Sequence, residues 1–92
     1  MQFEWDAAKN EENMRKHGID FAEVSAVFAG PTLDKRDQRQ DYGEDRWITN
    51  GFLRGIIVTV VWTARANSVI RIISARRASR NERTKFIHSL TH

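Results

Sequence analysis

Residues 70–83, IRIISARRASRNER, contain the clearest change of secondary structure in the chain. The first half is β-branched and apolar, which is typical of a strand, and the second half holds a helix-capping pair, Ser79 and Glu82. Arginines run through the whole segment. Guanidinium groups offer a planar fork of donors that suits phosphate, so the segment points first to nucleic acid as a partner.

The charge of the chain is divided sharply between its two halves. Residues 46–92 contain nine Lys/Arg and one acidic residue, whereas residues 1–45 contain six Lys/Arg and eleven Asp/Glu, and the whole chain has a net charge of +3. With 92 residues, 40% hydrophobic and 29% charged, the chain has the composition of an ordinary globular protein. This length predicts a single domain over residues 1–92.

Neither a membrane segment nor a metal or cofactor site is predicted. The chain has no cysteine, which excludes disulfides and thiolate zinc sites. The apolar run from Ile56 to Trp62 is far too short to span a bilayer, and residues 1–6 have no secretory signal pattern. These features favour a cytoplasmic protein.

Local signals predict the order helix, helix, sheet, helix. Asp6 opens a helix from Ala7 to His17, which Gly18 closes, and Asp20 opens a second helix that ends at residues 30–31. Strands are expected over residues 46–52, 56–63 and 69–75, with room for an edge strand within 32–45. Short turns imply antiparallel neighbours, and a last helix follows from 79 to about 90. We expect an α+β fold: two N-terminal helices, a three- or four-stranded antiparallel sheet and a C-terminal helix in two layers.

Alternation along the last strand predicts where its arginine points. Arg71 falls on the face of Val69 and Ile73, while Ile70, Ile72 and Ser74 fall on the other. If the helices cover one face, Arg71 projects from an open opposite face. Further arginines surround the start of the last helix, where a phosphate would relieve their repulsion by the helix dipole. The alternative is that these arginines only pair with the acidic half of the chain.

Several short motifs follow one another in an order that resembles a known family. They are Phe3-Glu4-Trp5-Asp6, Lys16-His17-Gly18-Ile19, Glu44-x-Arg46, and Ile70 to Arg76 followed by Glu82-Arg83. In these motifs, over nearly its whole length, the chain is similar to the BrnT toxins. The resemblance implies a RelE-like ribonuclease toxin of a type II toxin–antitoxin system that inhibits translation by cutting RNA. It also implies a BrnA-type antitoxin as partner, in a hetero-oligomer that binds operator DNA through the antitoxin.

The chain departs from the family pattern at two informative places. Ala7 stands where the family often has proline, and Phe86 is the nearest aromatic residue to the position where many members carry an aromatic hydroxyl. The only tyrosine, Tyr42, lies in a predicted loop. A tyrosine acid or base from the last helix is therefore not expected.

Metal-independent cleavage by a 2′-hydroxyl needs a base, an acid and cations around the pentacovalent phosphate. We expect electrostatics to carry most of the catalysis. We assign catalysis to Arg46, Arg65, Arg71, Arg76, Glu44 and His17. We assign RNA binding to Lys9, Lys16, Trp47, Arg77, Arg80 and Arg83.

Less specific roles remain open for some of these residues. His17 fits a helix-terminal hydrogen bond, Glu44 fits an ion pair with Arg46, and Glu82 fits a capping role better than that of a base. The alternative for the whole protein is a non-catalytic module that binds nucleic acid, or docks an antitoxin, through the same basic face. Salt-dependent RNA binding without cleavage would favour that alternative.

Overall fold

The computed structural model describes residues 1–92 and contains one five-stranded sheet with three α-helices. The helices are α1 (Ala7–His17), α2 (Ser25–Phe28) and α3 (Arg80–Thr91), and 3-10 turns cover Phe21–Glu23 and Ala66–Ser68. The strands are β1 (Gln2–Glu4), β2 (Thr32–Arg36), β3 (Trp47–Leu53), β4 (Ile56–Arg65) and β5 (Val69–Arg77). Their order across the sheet is β1-β5-β4-β3-β2. The predicted α+β class is confirmed.

The sheet has more strands than the three or four predicted, and one of its pairings is parallel. β1 pairs with β5 in parallel, whereas every other pair is antiparallel, so the sheet is mixed rather than antiparallel. A three-residue strand gives little periodic signal, and its pairing partner lies at the other end of the sequence. The edge strand expected within residues 32–45 is present as β2.

The second predicted helix is divided into a 3-10 turn, Phe21–Glu23, and a short α-helix, α2. Asp20 does cap it, because its side chain accepts from the backbone N–H of Ala22. The carboxylate of Glu23, however, binds Arg54 at 2.8 Å, where a capping box would have it return to the backbone of Asp20. A four-residue α2 follows, so the α-helical part is much shorter than expected.

Helix α1 has the predicted bounds but an unusual attachment to the sheet. Asp6 accepts from two backbone N–H groups at its start, and Gly18 closes it with a φ of 70°. Asn13 is the only buried residue of α1. Its amide both donates to and accepts from the backbone of Ala75, at 2.9 and 3.1 Å, and it also donates to the carbonyl of Ile19. Polar pairing with the edge of β5 therefore holds this weakly apolar helix.

The apolar core lies between the sheet and the layer formed by α1, the first 3-10 turn and α2. Its members include Phe21, Val24, Val27, Val58, Val60, Ile72 and Ala75. Gly51 lets α2 approach β3, because a Cβ there would stand 2.7 Å from Cγ1 of Val27.

Helix α3 lies on the opposite face of the sheet, so the expected two-layer arrangement is wrong. Phe86 is fully buried and packs edge-on against Phe52, with ring centroids 5.1 Å apart. The predicted capping box between Ser79 and Glu82 is present. Since α3 packs on β2 and β3, it leaves the part of this face near β1 and the start of β5 open.

Candidate active site

A β-bulge in β5 decides which arginines share a face. The ladder pairs Val61 with Ser74 but Trp62 with Ile72, which leaves Ile73 as an extra residue. The predicted uninterrupted alternation is therefore wrong from Ser74 onward. The bulge reverses the alternation, so Ser74 and Arg76 join Arg71 on one face.

The four arginines predicted to be catalytic lie on that one face. Arg71 pairs with Thr63 and Arg76 with Thr59, and these two threonines of β4 have the same orientation because they are four residues apart. Arg65 pairs with Val69 and so also faces this way, and Arg46 directly precedes β3, in the position that alternation assigns to the same side. We call this surface the arginine face; its arginines are Arg46, Arg65, Arg71 and Arg76.

Three of these arginines hold a carboxylate of the same chain. Arg71 binds Glu4 at 2.6 Å, Arg46 binds Glu44 at 3.2 Å, and Arg76 binds Glu82 at 2.8 Å. Arg65 is exposed and makes no ion pair. Glu4 was missed from the sequence, since its contact with Arg71 depends on the parallel pairing of β1.

Glu82 is tightly fixed and stays ionised. Its carboxylate accepts from both terminal nitrogens of Arg76, from the backbone N–H of Ser79 and from the hydroxyl of Thr59. Hydrogen bonds from Arg76 are the main reason why the pKa of Glu82 falls to about 2. The carboxylate also fills the start of α3, where a phosphate had been expected. Glu82 therefore orients Arg76 and is no proton donor near neutral pH.

The three cationic residues predicted on α1 lie together beside β5, away from the arginine face. Lys9, Lys16 and His17 line a shallow pocket together with Ile73 and Ser74, beside the bulge of β5. Lys16 pairs with Glu12 at 2.8 Å. A second shallow pocket, formed by the loop between β2 and β3, contains Glu44 and Arg46. The predicted acid–base residues Glu44 and His17 thus lie in separate pockets.

Two further residues predicted to bind RNA, Trp47 and Arg77, lie away from the arginine face. Trp47 is half-buried and stacks on Trp62, with centroids 6.1 Å apart, on the side of α2. Arg77 pairs with Val58, a core residue, and so also points to the side of the sheet that α1 and α2 cover. The register turns the ring of Trp47 away from the arginine face, and its role in RNA binding stays a prediction.

The arginines of α3 differ in how freely they can bind a partner. Arg80 is exposed, whereas Arg83 donates to the carbonyl of Ala78 at 2.9 Å. Since α3 begins only at Arg80, Arg76 belongs to β5 and does not share a helix face with them.

One histidine pair was missed from the sequence. His88 and His92 stand four residues apart near the end of the chain, and their rings stack with centroids 4.0 Å apart. The structure brings no three His, Cys, Asp or Glu residues close enough to hold a metal ion together.

No helix is long and apolar enough to cross a membrane.

A protein-family model matches most of this chain. Residues 5–82 match the family described as the ribonuclease toxin, BrnT, of type II toxin–antitoxin systems. This chain belongs to the BrnT family. Membership implies an antitoxin partner, because type II systems pair a protein toxin with a protein antitoxin.

A solved structure agrees with this assignment. The crystal structure of the Brucella abortus ribonuclease toxin BrnT superposes with a TM-score of 0.68 at 30% sequence identity, covering 87% of this chain and 99% of that one. No match was found among curated proteins. The resemblance noted from the sequence motifs is confirmed.

Proposed function

We propose that this BrnT-family chain is an endoribonuclease that cuts RNA by 2′-hydroxyl attack without a metal ion. The arginine face carries the proposal, because the strand register and the bulge in β5 place four arginines on one side of the sheet. Arg71 and Arg76 stabilise the charge that develops on the pentacovalent phosphate. Arg46 adds to that field in the transition state, and Arg65 binds a flanking phosphate.

Proton transfer in this proposal belongs to Glu44 and His17. Glu44 is held only by Arg46, at 3.2 Å, and its side chain is 31% exposed, so it is free to accept a proton from the 2′-hydroxyl. His17 lines the other pocket, beside Ser74 at the edge of β5, and is our candidate acid for the leaving 5′-oxygen; this role requires the scissile phosphate to lie between the two pockets. Lys9 and Lys16 of the same pocket, with Arg77, Arg80 and Arg83, attract the RNA backbone.

The biological part of the proposal concerns the partner. We propose that RNA cleavage inhibits translation in the cytoplasm and that a BrnA-type antitoxin neutralises this single-domain toxin. Carboxylates already occupy Arg46, Arg71 and Arg76 within the chain, which supports an acidic antitoxin segment as a competitor of RNA. The complex would bind operator DNA through the antitoxin.

Removing the central arginine tests the enzymatic proposal. Purified protein is incubated with RNA in the presence of EDTA, and cleavage is followed over time. We expect Arg71→Ala to lower the cleavage rate about 100-fold, the usual cost of losing one stabilising donor. The matched control is Arg15→Ala, since Arg15 is exposed on α1 and makes no ion pair.

Three outcomes separate the candidate functions. Cleavage by the wild type and by Arg15→Ala, with loss in Arg71→Ala, supports the enzyme. RNA that is bound in a salt-dependent way but stays intact at high protein concentration supports the non-catalytic binding module instead. Equal cleavage by Arg71→Ala and the wild type contradicts the proposed site.

A further inference from the structure

The loop between β2 and β3 is built around one buried carboxylate. The side chain of Asp37 is 0% exposed, yet it is ionised and fully engaged. It accepts two hydrogen bonds from the guanidinium of Arg39, at 2.7 and 2.6 Å, and one from the hydroxyl of Tyr42, at 3.1 Å. These hydrogen bonds, chiefly those from Arg39, lower the pKa of Asp37 to about 2.

This carboxylate fixes the ring on which a candidate catalytic arginine lies. The guanidinium carbon of Arg46 stands 4.0 Å from the centroid of the Tyr42 ring, within the range of a close cation–π contact. Arg46 also binds Glu44, at 3.2 Å. Tyr42 is thus in contact with Arg46 at its ring and with Asp37 at its hydroxyl.

The backbone of the loop is anchored at the same place. The N–H of Asp37 donates to the carbonyl of Arg46 at 2.8 Å, which extends the β2–β3 ladder by one pair. The hydroxyl of Thr63 donates to the carbonyl of Asp45 at 2.6 Å. The main chain next to Arg46 is therefore held from β2 and from β4, so only the long side chain has freedom left to lose.

We propose that Tyr42, held by Asp37 and Arg39, is a positioning residue that aims Arg46 across the arginine face. An arginine side chain that is already ordered loses less conformational entropy when it meets the transition state. This inference rests on the proposed function, in which Arg46 acts on the phosphate in the transition state. It adds a role for Asp37, Arg39 and Tyr42 of this loop.

A double-mutant cycle with a conservative control tests the inference. RNA cleavage is measured for the wild type, Tyr42→Phe, Tyr42→Leu, Arg46→Ala and the double variant Tyr42→Leu/Arg46→Ala. Tyr42→Phe keeps the ring and should stay within about threefold of the wild type. Tyr42→Leu should lower kcat about tenfold, the size of a partly desolvated cation–π contact, with KM changed less than about threefold.

Measuring Tyr42→Leu in the Arg46→Ala variant shows whether Tyr42 positions Arg46 or only stabilises the fold. If Tyr42 acts through Arg46, Tyr42→Leu should cause no further loss once Arg46 is alanine. An equal tenfold loss in both backgrounds overturns the inference, and so does an undiminished kcat in Tyr42→Leu. If Arg46→Ala itself cleaves like the wild type, the role of Arg46 in the proposed function fails instead.

A spectroscopic measurement decides the matter even if no RNA is cut or Tyr42→Leu folds poorly. In ¹⁵N-labelled protein, the Nε–H proton of Arg46 should be shifted upfield by the Tyr42 ring and should report an ordered side chain. The shift should shrink in both Tyr42→Phe and Asp37→Asn, because the first removes and the second weakens the hydrogen bond that holds the ring. A random-coil shift with fast motion in the wild type would overturn the inference, whatever the activity.

Discussion

Glu4 and Glu82 both bind arginines of the arginine face, but they bind them differently. Glu82 has four donors and a side chain that is 20% exposed, so exchanging it for a phosphate would break several hydrogen bonds. Glu4 has one hydrogen bond, to Arg71, and its side chain is 43% exposed. Exposed ion pairs contribute little free energy. Arg71 therefore releases its carboxylate for RNA more easily than Arg76 does.

Replacing Glu4 should strengthen RNA binding. In Glu4→Gln the charge that competes with phosphate is gone, and we expect the Kd for RNA to fall about threefold, in line with the small energy of an exposed ion pair. Fluorescence anisotropy with a labelled, uncleavable RNA measures this. Glu11→Gln changes the net charge equally at an exposed position of α1 that makes no ion pair. Equal tightening in both variants would contradict a specific role of Glu4.

At the scale of elements, α1 replaces a missing strand. β1 pairs with β5 only as far as Arg71, and beyond it the edge of β5 would be open. Asn13 pairs with the N–H and the carbonyl of Ala75 much as a neighbouring strand would. A polar residue in a weakly apolar helix is thus the main link between α1 and the sheet.

Removing this link should destabilise the fold strongly. Asn13→Ala leaves buried backbone groups of Ala75 and Ile19 without partners, and each such group costs about 1–3 kcal/mol. We expect the free energy of unfolding to fall by about 2–4 kcal/mol in urea titrations. Glu11→Ala, an exposed change in the same helix, should stay within about 0.5 kcal/mol of the wild type. A similar small effect of Asn13→Ala would mean that water replaces the amide.

At the scale of the whole molecule, the divided charge of the sequence is only partly neutralised by folding. Three ion pairs join the acidic half to the basic half: Glu4–Arg71, Glu23–Arg54 and Glu44–Arg46. Five cations of the basic half make no ion pair: Arg65, Arg77, Arg80, Arg83 and Lys85. Internal pairing therefore accounts for some of the arginines but leaves a basic surface for a polyanion.

Salt should act on RNA binding far more than on stability. If the four arginines of the arginine face each meet a phosphate, the Kd should weaken about fiftyfold between about 50 and 200 mM salt. The Tm should change by less than about 3 °C over that range, because exposed ion pairs contribute little. Anisotropy titrations and thermal scans measure the two quantities. A flat salt dependence of the Kd would argue against phosphate contacts.

The candidate site could be predicted only in part. The four arginines of the arginine face were all identified from the sequence, because arginine in a basic strand and loop is visible without coordinates. The carboxylates that pair with these arginines were harder to predict. The capping role of Glu82 was predicted correctly, but the ion pair between Glu4 and Arg71 was not predicted. Tyr42 had no assigned role, because its contacts with Asp37 and Arg46 depend on the path of a loop.

The sequence by itself determined the elements whose signals are local. Helix α1 begins after Asp6 and ends before Gly18, and α3 follows the capping box of Ser79, because caps act over a few residues. Only the tertiary structure decided the parallel β1, the side of the sheet that α3 covers and the bulge at Ile73. These depend on hydrogen bonds and packing between distant segments, and the bulge reverses the alternation from which the face of Arg76 would have been read.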